Sequence, residues 1–278
     1  MTAADIKKLR DMTGAGMMDC KKALTEAGGD FDKAIEVLRK QGQKLSAKRA
    51  DRDATEGVVV ALTSHNRNNG VLVRLSCETD FVAKNEAFVD FAKSIAAIAL
   101  KHLPESLEEL KALPYENGVS VQDKVEEQVG VIGEKLELSH YSKIITKAGE
   151  GQVLPYIHMG YKAGVLVALN LEGPDYIEPG KNVAMQVAAM RPVALDKDGV
   201  DAATIEKEIE IGKEQARQEG KPEEMLEKIA LGKLNKFYKE STLLAQSYVK
   251  DNKMSVSDYL KSLHKDLTVT EFKHVELG

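Results

Sequence analysis

The chain contains no tryptophan, only two cysteines and six histidines in 278 residues. Two thiols, Cys20 and Cys77, make no disulfide framework, and the histidines show no pair at metal-ligand spacing. A reducing compartment suits such a chain. Positive charge is not in excess: the formal net charge is −5, whereas a nucleic-acid groove needs a basic face. No apolar run approaches the roughly 18 residues of a membrane span. Met1-Thr2-Ala3-Ala4-Asp5 lacks the apolar core of a signal segment. These absences point to a cytoplasmic protein with no direct nucleic-acid or membrane partner. Catalytic signatures are missing too. There is no Gly-x-Ser-x-Gly elbow. Gly180-Lys181-Asn182 is similar to the end of a phosphate loop, but Asp175 stands where the first Gly is required and Asn182 where Ser or Thr is required. Cys77 alternates in phase with Val71, Val73 and Leu75, which predicts a buried thiol rather than a nucleophile. The expectation is no cofactor, no metal and no bond chemistry of its own.

What is present is a globular composition, 43% hydrophobic and 30% charged, in a length that fits about two domains. Residues 1–43 read as three short helices. Ile6, Leu9 and Met12 form one stripe. Gly14 and Gly16 interrupt it, Gly28-Gly29 stops the second helix, and Asp30 caps the third. Residues 44–56 form a charged linker whose basic side chains are expected to be solvated, since acids follow at once. Two hairpins follow, Gly57–Leu62 with Val71–Ser76, and Val153–His158 with Gly164–Leu169. The tetrapeptide Gly70-Val71-Leu72-Val73 recurs as Gly164-Val165-Leu166-Val167, and a helix follows each hairpin: Phe88–Leu100, and Val183–Met190 before Pro192. Leu107–Leu113 and Val121–Leu136 read as helices, and His140–Lys147 as a strand. In 200–240 the spacing of Ile205, Ile209, Gly212 and Ala216, then of Leu226, Ala230, Leu234 and Phe237, predicts two helices broken at Gly220-Lys221-Pro222.

The fold class is therefore α+β. A three-helix N-terminal domain (1–43) and linker (44–56) precede a first core subdomain (57–147). A second (148–199 and 241–278) is interrupted by an antiparallel helical hairpin (200–240). Val256–Leu263, capped by Ser255, and a strand over Thr268–Val275 close the chain.

Between the strand ending at Cys77 and the helix carrying Phe88, Phe91, Ala92, Ile95 and Ala99 stands Glu78-Thr79-Asp80-Phe81-Val82-Ala83-Lys84. Chemistry alone reads Asp80 first as a cap or turn residue and Phe81 as a core aromatic. Met17 and Met18 read equally as core fillers or as an adaptable contact surface. His158, at the tip of the second hairpin, reads as a half-exposed turn residue.

Thr79-Asp80-Phe81-Val82-Ala83-Lys84 after an apolar strand resembles a signature of the elongation factor Ts family. Leu9-Arg10-x-x-Thr13-Gly14-Ala15-Gly16-Met17-Met18-Asp19-Cys20-Lys21-Lys22-Ala23-Leu24 resembles that family's N-terminal signature. The hairpin region from Lys236 to Asp251 is also similar. The resemblance implies a guanine-nucleotide exchange factor that binds elongation factor Tu in its GDP form. Thr79, Asp80, Phe81 and Val82 would be pushed in near the partner's magnesium site. It implies partner contacts for Met17, Met18 and Lys21, and for His158 at the far end of elongation factor Tu. The three-helix domain would be ubiquitin-associated-like, and 200–240 would serve self-association. Some family members continue past the position of Gly278 into a helix that touches the partner. Many carry Glu-x-Asn where this chain has Arg74-Leu75-Ser76, and a local change of salt bridge is expected there. A different reading of the three-helix domain is an adaptor for ubiquitin-like proteins, which would leave the second signature unexplained.

Overall fold

A computed structural model describes residues 2–116 and 118–278. The chain begins with three helices, α1 (Ala3–Thr13), α2 (Met17–Glu26) and α3 (Phe31–Lys48). Thr2 and Asp5 cap α1 reciprocally, Gly14 ends it in the left-handed region at φ 73°, and Asp30 caps α3 through the Lys33 amide. Leu9, Cys20, Ala23, Leu24 and Ala34 form the small shared core. α3 continues past Gln43, because Gln43-Lys44-Leu45-Ser46-Ala47-Lys48 contains no breaker and Leu45 packs on the next core.

The first sheet is built from β1 (Glu56–Thr63) and β2 (Asn69–Cys77). The chain then passes through α4 (Asp80–Ala83), α5 (Glu86–His102), α6 (Leu107–Ala112), a small ribbon of β3 (Pro114–Glu116) and β4 (Val119–Ser120), and α7 (Val121–Ile132). It returns as β5 (Leu136–Ile145), giving the antiparallel order β1-β2-β5. The helix expected over Val121–Leu136 stops at Ile132, because Gly133 takes φ 80°; Leu136 is already paired with Cys77. α3 crosses α7 at two glycines. A Cβ on Gly42 would stand 2.9 Å from the Glu126 carbonyl oxygen, and one on Gly130 2.9 Å from Gly42 Cα. Arg39 and Glu127 form an ion pair beside this crossing.

The second sheet repeats the plan. β6 (Gln152–Ile157) and β7 (Ala163–Leu169) pair antiparallel, and α8 (Ile177–Met190) covers them. α8 starts earlier than Val183, since Pro179 lies in its first turn, where no hydrogen-bonded amide is required. Next come α9 (Ala202–Gln218) and α10 (Glu223–Ser241), an antiparallel pair in which a Cβ on Gly212 would meet Ala230 Cα at 3.1 Å. The chain re-enters through β8 (Ser247–Tyr248), β9 (Asp251–Ser255) and α11 (Val256–Leu263). It ends on β10 (Val269–Glu276), which pairs with β7. The mixed architecture of three helices, antiparallel sheets and an inserted helical hairpin is the one expected.

β1, β2 and β7 are buried on both faces, which is why they read as near-continuous apolar runs, whereas β5 and β10 are partly exposed and mix polar residues in. Val58, Val60, Val71, Val73, Leu75 and Cys77 pack under α5 and α7. The opposite face, with Val59, Ala61, Leu72 and Ile144, meets Val153, Leu166, Ala168 and Val275 of the second sheet. Gly70 and Gly164 are close-approach positions in this layer. Added Cβ atoms would stand 2.6 Å from Val153 Cγ1 and 2.7 Å from Val59 Cγ1. Among the described residues no helix is long and apolar enough to cross a membrane.

Candidate functional site

β2 delivers the chain to the edge of the first core and Cys77 is its last residue. The Cys77 side chain is fully buried, and burial pushes its thiol up to about 12. It is protonated at neutral pH and unsuited to nucleophilic attack. Two residues on, Thr79 caps α4 by accepting the Val82 amide at 3.4 Å. α4 is a single helical turn, too short to hold itself by its own hydrogen bonds. Val82 and Ala83 pack against the first core and anchor one side of the turn. Asp80 stays at the surface, paired with Lys84 at 2.6 Å. That hydrogen bond holds its carboxyl below the usual range.

Phe81 points the other way. It is 84% exposed, so the core reading of this residue is wrong. The alternation that buries Cys77 ends with the strand. In the following turn Val82 and Ala83 take the inward positions and Phe81 the outward one.

The turn is held from below by residues that carried no separate signal in the sequence. The loop between α7 and β5 sets Glu134 against Thr79: the carboxylate accepts the Thr79 amide at 3.0 Å and the Thr79 hydroxyl at 2.6 Å. Reciprocally, Glu78 accepts the Lys135 amide at 2.5 Å. Glu78 also accepts Arg49 Nη1 at 2.6 Å and Arg52 Nη1 at 3.0 Å. The basic residues of the linker, expected to be solvated, are thus partly consumed in an ion pair. Lys135 Nζ completes the arrangement by donating to the carbonyls of Ala50 and Arg52.

The Lys135 amide, followed by the two guanidinium groups, holds the Glu78 carboxyl down at about 2, against the burial that opposes it. An unfolded chain restores the ordinary value of 4.5. Stability from this carboxylate is therefore complete above pH 4.5, declines as pH falls, and is gone below about pH 2. Glu78→Gln is expected to be less stable than the parent at pH 7, with the gap in urea midpoint closing through that acid window. A gap independent of pH would show that the carboxylate charge contributes nothing.

The other anticipated contact residues lie in two further places. On α2, Met17 and Met18 are 42% and 63% exposed, and Lys21 is exposed, while Cys20, Ala23 and Leu24 turn inward. Both methionines are surface residues, not core fillers. His158 is exposed after β6, its Nδ1 3.2 Å from the Tyr156 hydroxyl, and Met159 beside it is 87% exposed. The same loop turns back onto the first subdomain. Tyr161 packs against that core with Lys93 Nζ 5.8 Å from its ring centre, and the charge of Lys162 reaches Asp80. The structure thus joins the His158 loop to the flank of α4, while α2 stands on the separate N-terminal core.

Three other positions resolve simply. Gly180 admits Leu154, whose Cγ would be 2.7 Å from an added Cβ, so it serves helix-on-sheet packing. Asn182 accepts Lys250 Nζ at 2.7 Å. Arg74 forms no ion pair among the described residues, contrary to the exchanged salt bridge expected. It donates to Ser139 Oγ at 2.8 Å and to the Glu276 carbonyl at 3.0 Å, tying the first sheet to the last strand. Among the described residues no group of three or more His, Cys, Asp or Glu side chains could hold a metal.

Comparison with known proteins covers the whole chain. The family model described as Elongation factor TS matches residues 78–278. Proteins named Elongation factor Ts are 56% identical in Cytophaga hutchinsonii, 53% in Christiangramia forsetii and 45% in Porphyromonas gingivalis. Each alignment spans 100% of this chain and 98–99% of the relative.

Proposed function

The chain belongs to the elongation factor Ts family, and from that premise we propose how it works. It is the guanine-nucleotide exchange factor for elongation factor Tu in translation elongation. It acts in the cytoplasm, binds the GDP form and promotes GDP release without bond chemistry of its own. The observation that carries the mechanism is the outward Phe81 on a one-turn helix whose other side is anchored in the core.

A GTPase grips its nucleotide through phosphate-loop amides, a lysine and Mg²⁺. Mg²⁺ demands near-ideal octahedral geometry, so a small displacement of its ligands weakens it. Phe81 enters the partner near that site and shifts the element that bears on it. Asp80 holds Phe81 in register by hydrogen bonding to the partner, and Thr79 and Val82 complete the contact.

Magnitude limits this wedge. Burying one Phe yields about 1.5–3 kcal/mol. Coupling between nucleotide and exchange factor is reciprocal, and a thousandfold weakening of GDP needs about 4.2 kcal/mol. The grip is therefore shared. Met17, Met18 and Lys21 bind through the N-terminal helices, and His158 binds through the second subdomain. Self-association through 200–240 is part of the same proposal, supported by exposed Met225 and Leu231 on α10.

The test is release of fluorescent GDP from elongation factor Tu of the same source at fixed Mg²⁺. Acceleration at substoichiometric amounts of this protein is expected. A demonstrable complex without acceleration would reduce the protein to a binding module.

A further inference from the structure

We propose that Glu134 is a positioning residue for exchange, aiming Phe81 through its two hydrogen bonds to Thr79. The inference rests on the reading of Phe81 as the inserted group. Phe81 has almost no packing of its own, so its direction is the direction of the α4 turn. Val82 and Ala83 fix one side of that turn. The other side begins at Thr79, whose amide and hydroxyl both end on Glu134. With its proton directed to Glu134 Oε1, the hydroxyl presents a lone pair to the Val82 amide, which closes the cap. Without the carboxylate the hydroxyl is free to rotate and the Thr79 amide loses its acceptor, leaving the one-turn helix a ladder of only the Ala83-to-Thr79 and Lys84-to-Asp80 backbone bonds, too few to fix its direction.

Glu134 comes from a different element, after the left-handed Gly133 at the end of α7. The adjacent Lys135 amide binds Glu78 in return. Residues 78–79 and 134–135 thus exchange carboxylate-to-amide hydrogen bonds, and the motif is held on a frame that it does not itself supply. Glu134 touches neither nucleotide nor partner in this scheme.

The experiment is GDP release across a concentration series of exchange factor, for the parent, Glu134→Ala, Glu134→Gln, Phe81→Ala and the double variant Phe81→Ala/Glu134→Ala. Glu134→Ala is expected to lower the maximal rate about tenfold while the half-saturating concentration stays within about twofold, since the rest of the grip is intact. Glu134→Gln, which keeps one acceptor oxygen, should recover part of the loss. In the Phe81→Ala background the Glu134 change should cost nothing further. If Phe81→Ala is slow while Glu134→Ala matches the parent, the positioning role is overturned and the wedge survives. If Phe81→Ala matches the parent, the wedge itself fails and the proposal falls with it. Additive losses in the double variant would also overturn it. Should Glu134→Ala not fold, Glu134→Gln, which loses the charge and one acceptor oxygen, is read by the same criteria.

Discussion

Phe81→Ala is expected to lower the maximal rate of GDP release about ten- to hundredfold and to leave the thermal midpoint unchanged. The first number follows from removing about 1.5–3 kcal/mol of aromatic burial in the complex, at a factor of ten for each 1.4 kcal/mol. The second follows from exposure: the side chain is 84% accessible, and such surface substitutions shift stability by no more than about 0.5 kcal/mol. Phe88, seven positions on and 2% exposed, provides the contrast. Phe88→Ala should cost about 3–5 kcal/mol of stability and lose exchange only through unfolding. Stopped-flow release and a thermal melt on both variants separate the roles. Normal exchange by Phe81→Ala would make the exposed ring a bystander.

The second large effect is expected at the glycine crossing between α3 and α7. Gly42→Leu sets a Cβ within 2.9 Å of the Glu126 carbonyl and 3.2 Å of Glu127 Cα. Backbone atoms cannot rotate aside as side chains do, so the helices must part. Overpacking of this kind costs about 1–3 kcal/mol. Here it can be relieved by undocking the three helices, since they keep their own core of Leu9, Cys20, Leu24 and Ala34. Both sheets should then melt as before, while the segment around Arg49–Asp53 becomes open to proteases. The half-saturating concentration for exchange should rise roughly tenfold, because Met17 and Met18 are no longer held at a fixed place relative to α4. A parent-like protease pattern with parent-like concentration dependence would show that the two glycines do not set the docking.

Much of the fold is legible in the sequence because its signals are local. Strand alternation buries Cys77 with Val73 and Leu75, as the period-2 pattern requires. Asp30 and Ser255 cap the helices they precede. The repeated Gly-Val-Leu-Val tetrapeptides mark equivalent strands, each close-packed at its glycine. The errors have physical reasons. Val121–Leu136 looks like one amphipathic segment until Gly133 is given its left-handed conformation. Phe81 is apolar, and composition cannot tell an aromatic in the core from one held out on a turn; only the motif resemblance assigned it outward. Glu78, Arg49 and the neighbours Glu134 and Lys135 come together from three stretches of chain. A charged run reads the same whether it is solvated or paired, because its partner lies far along the sequence.

The apolar layer shared by the two sheets has a mechanical meaning. Val59, Leu72 and Ile144 interlock with Val153, Leu166 and Val275, and Gly70 and Gly164 leave no slack between them. Close-packed interiors resist compression and sliding. The pair of sheets therefore behaves as one stiff anvil, on which Phe81 and the His158 loop are carried at a fixed separation. A push against α4 is met by the whole double layer, and not by a yielding hinge between the sheets.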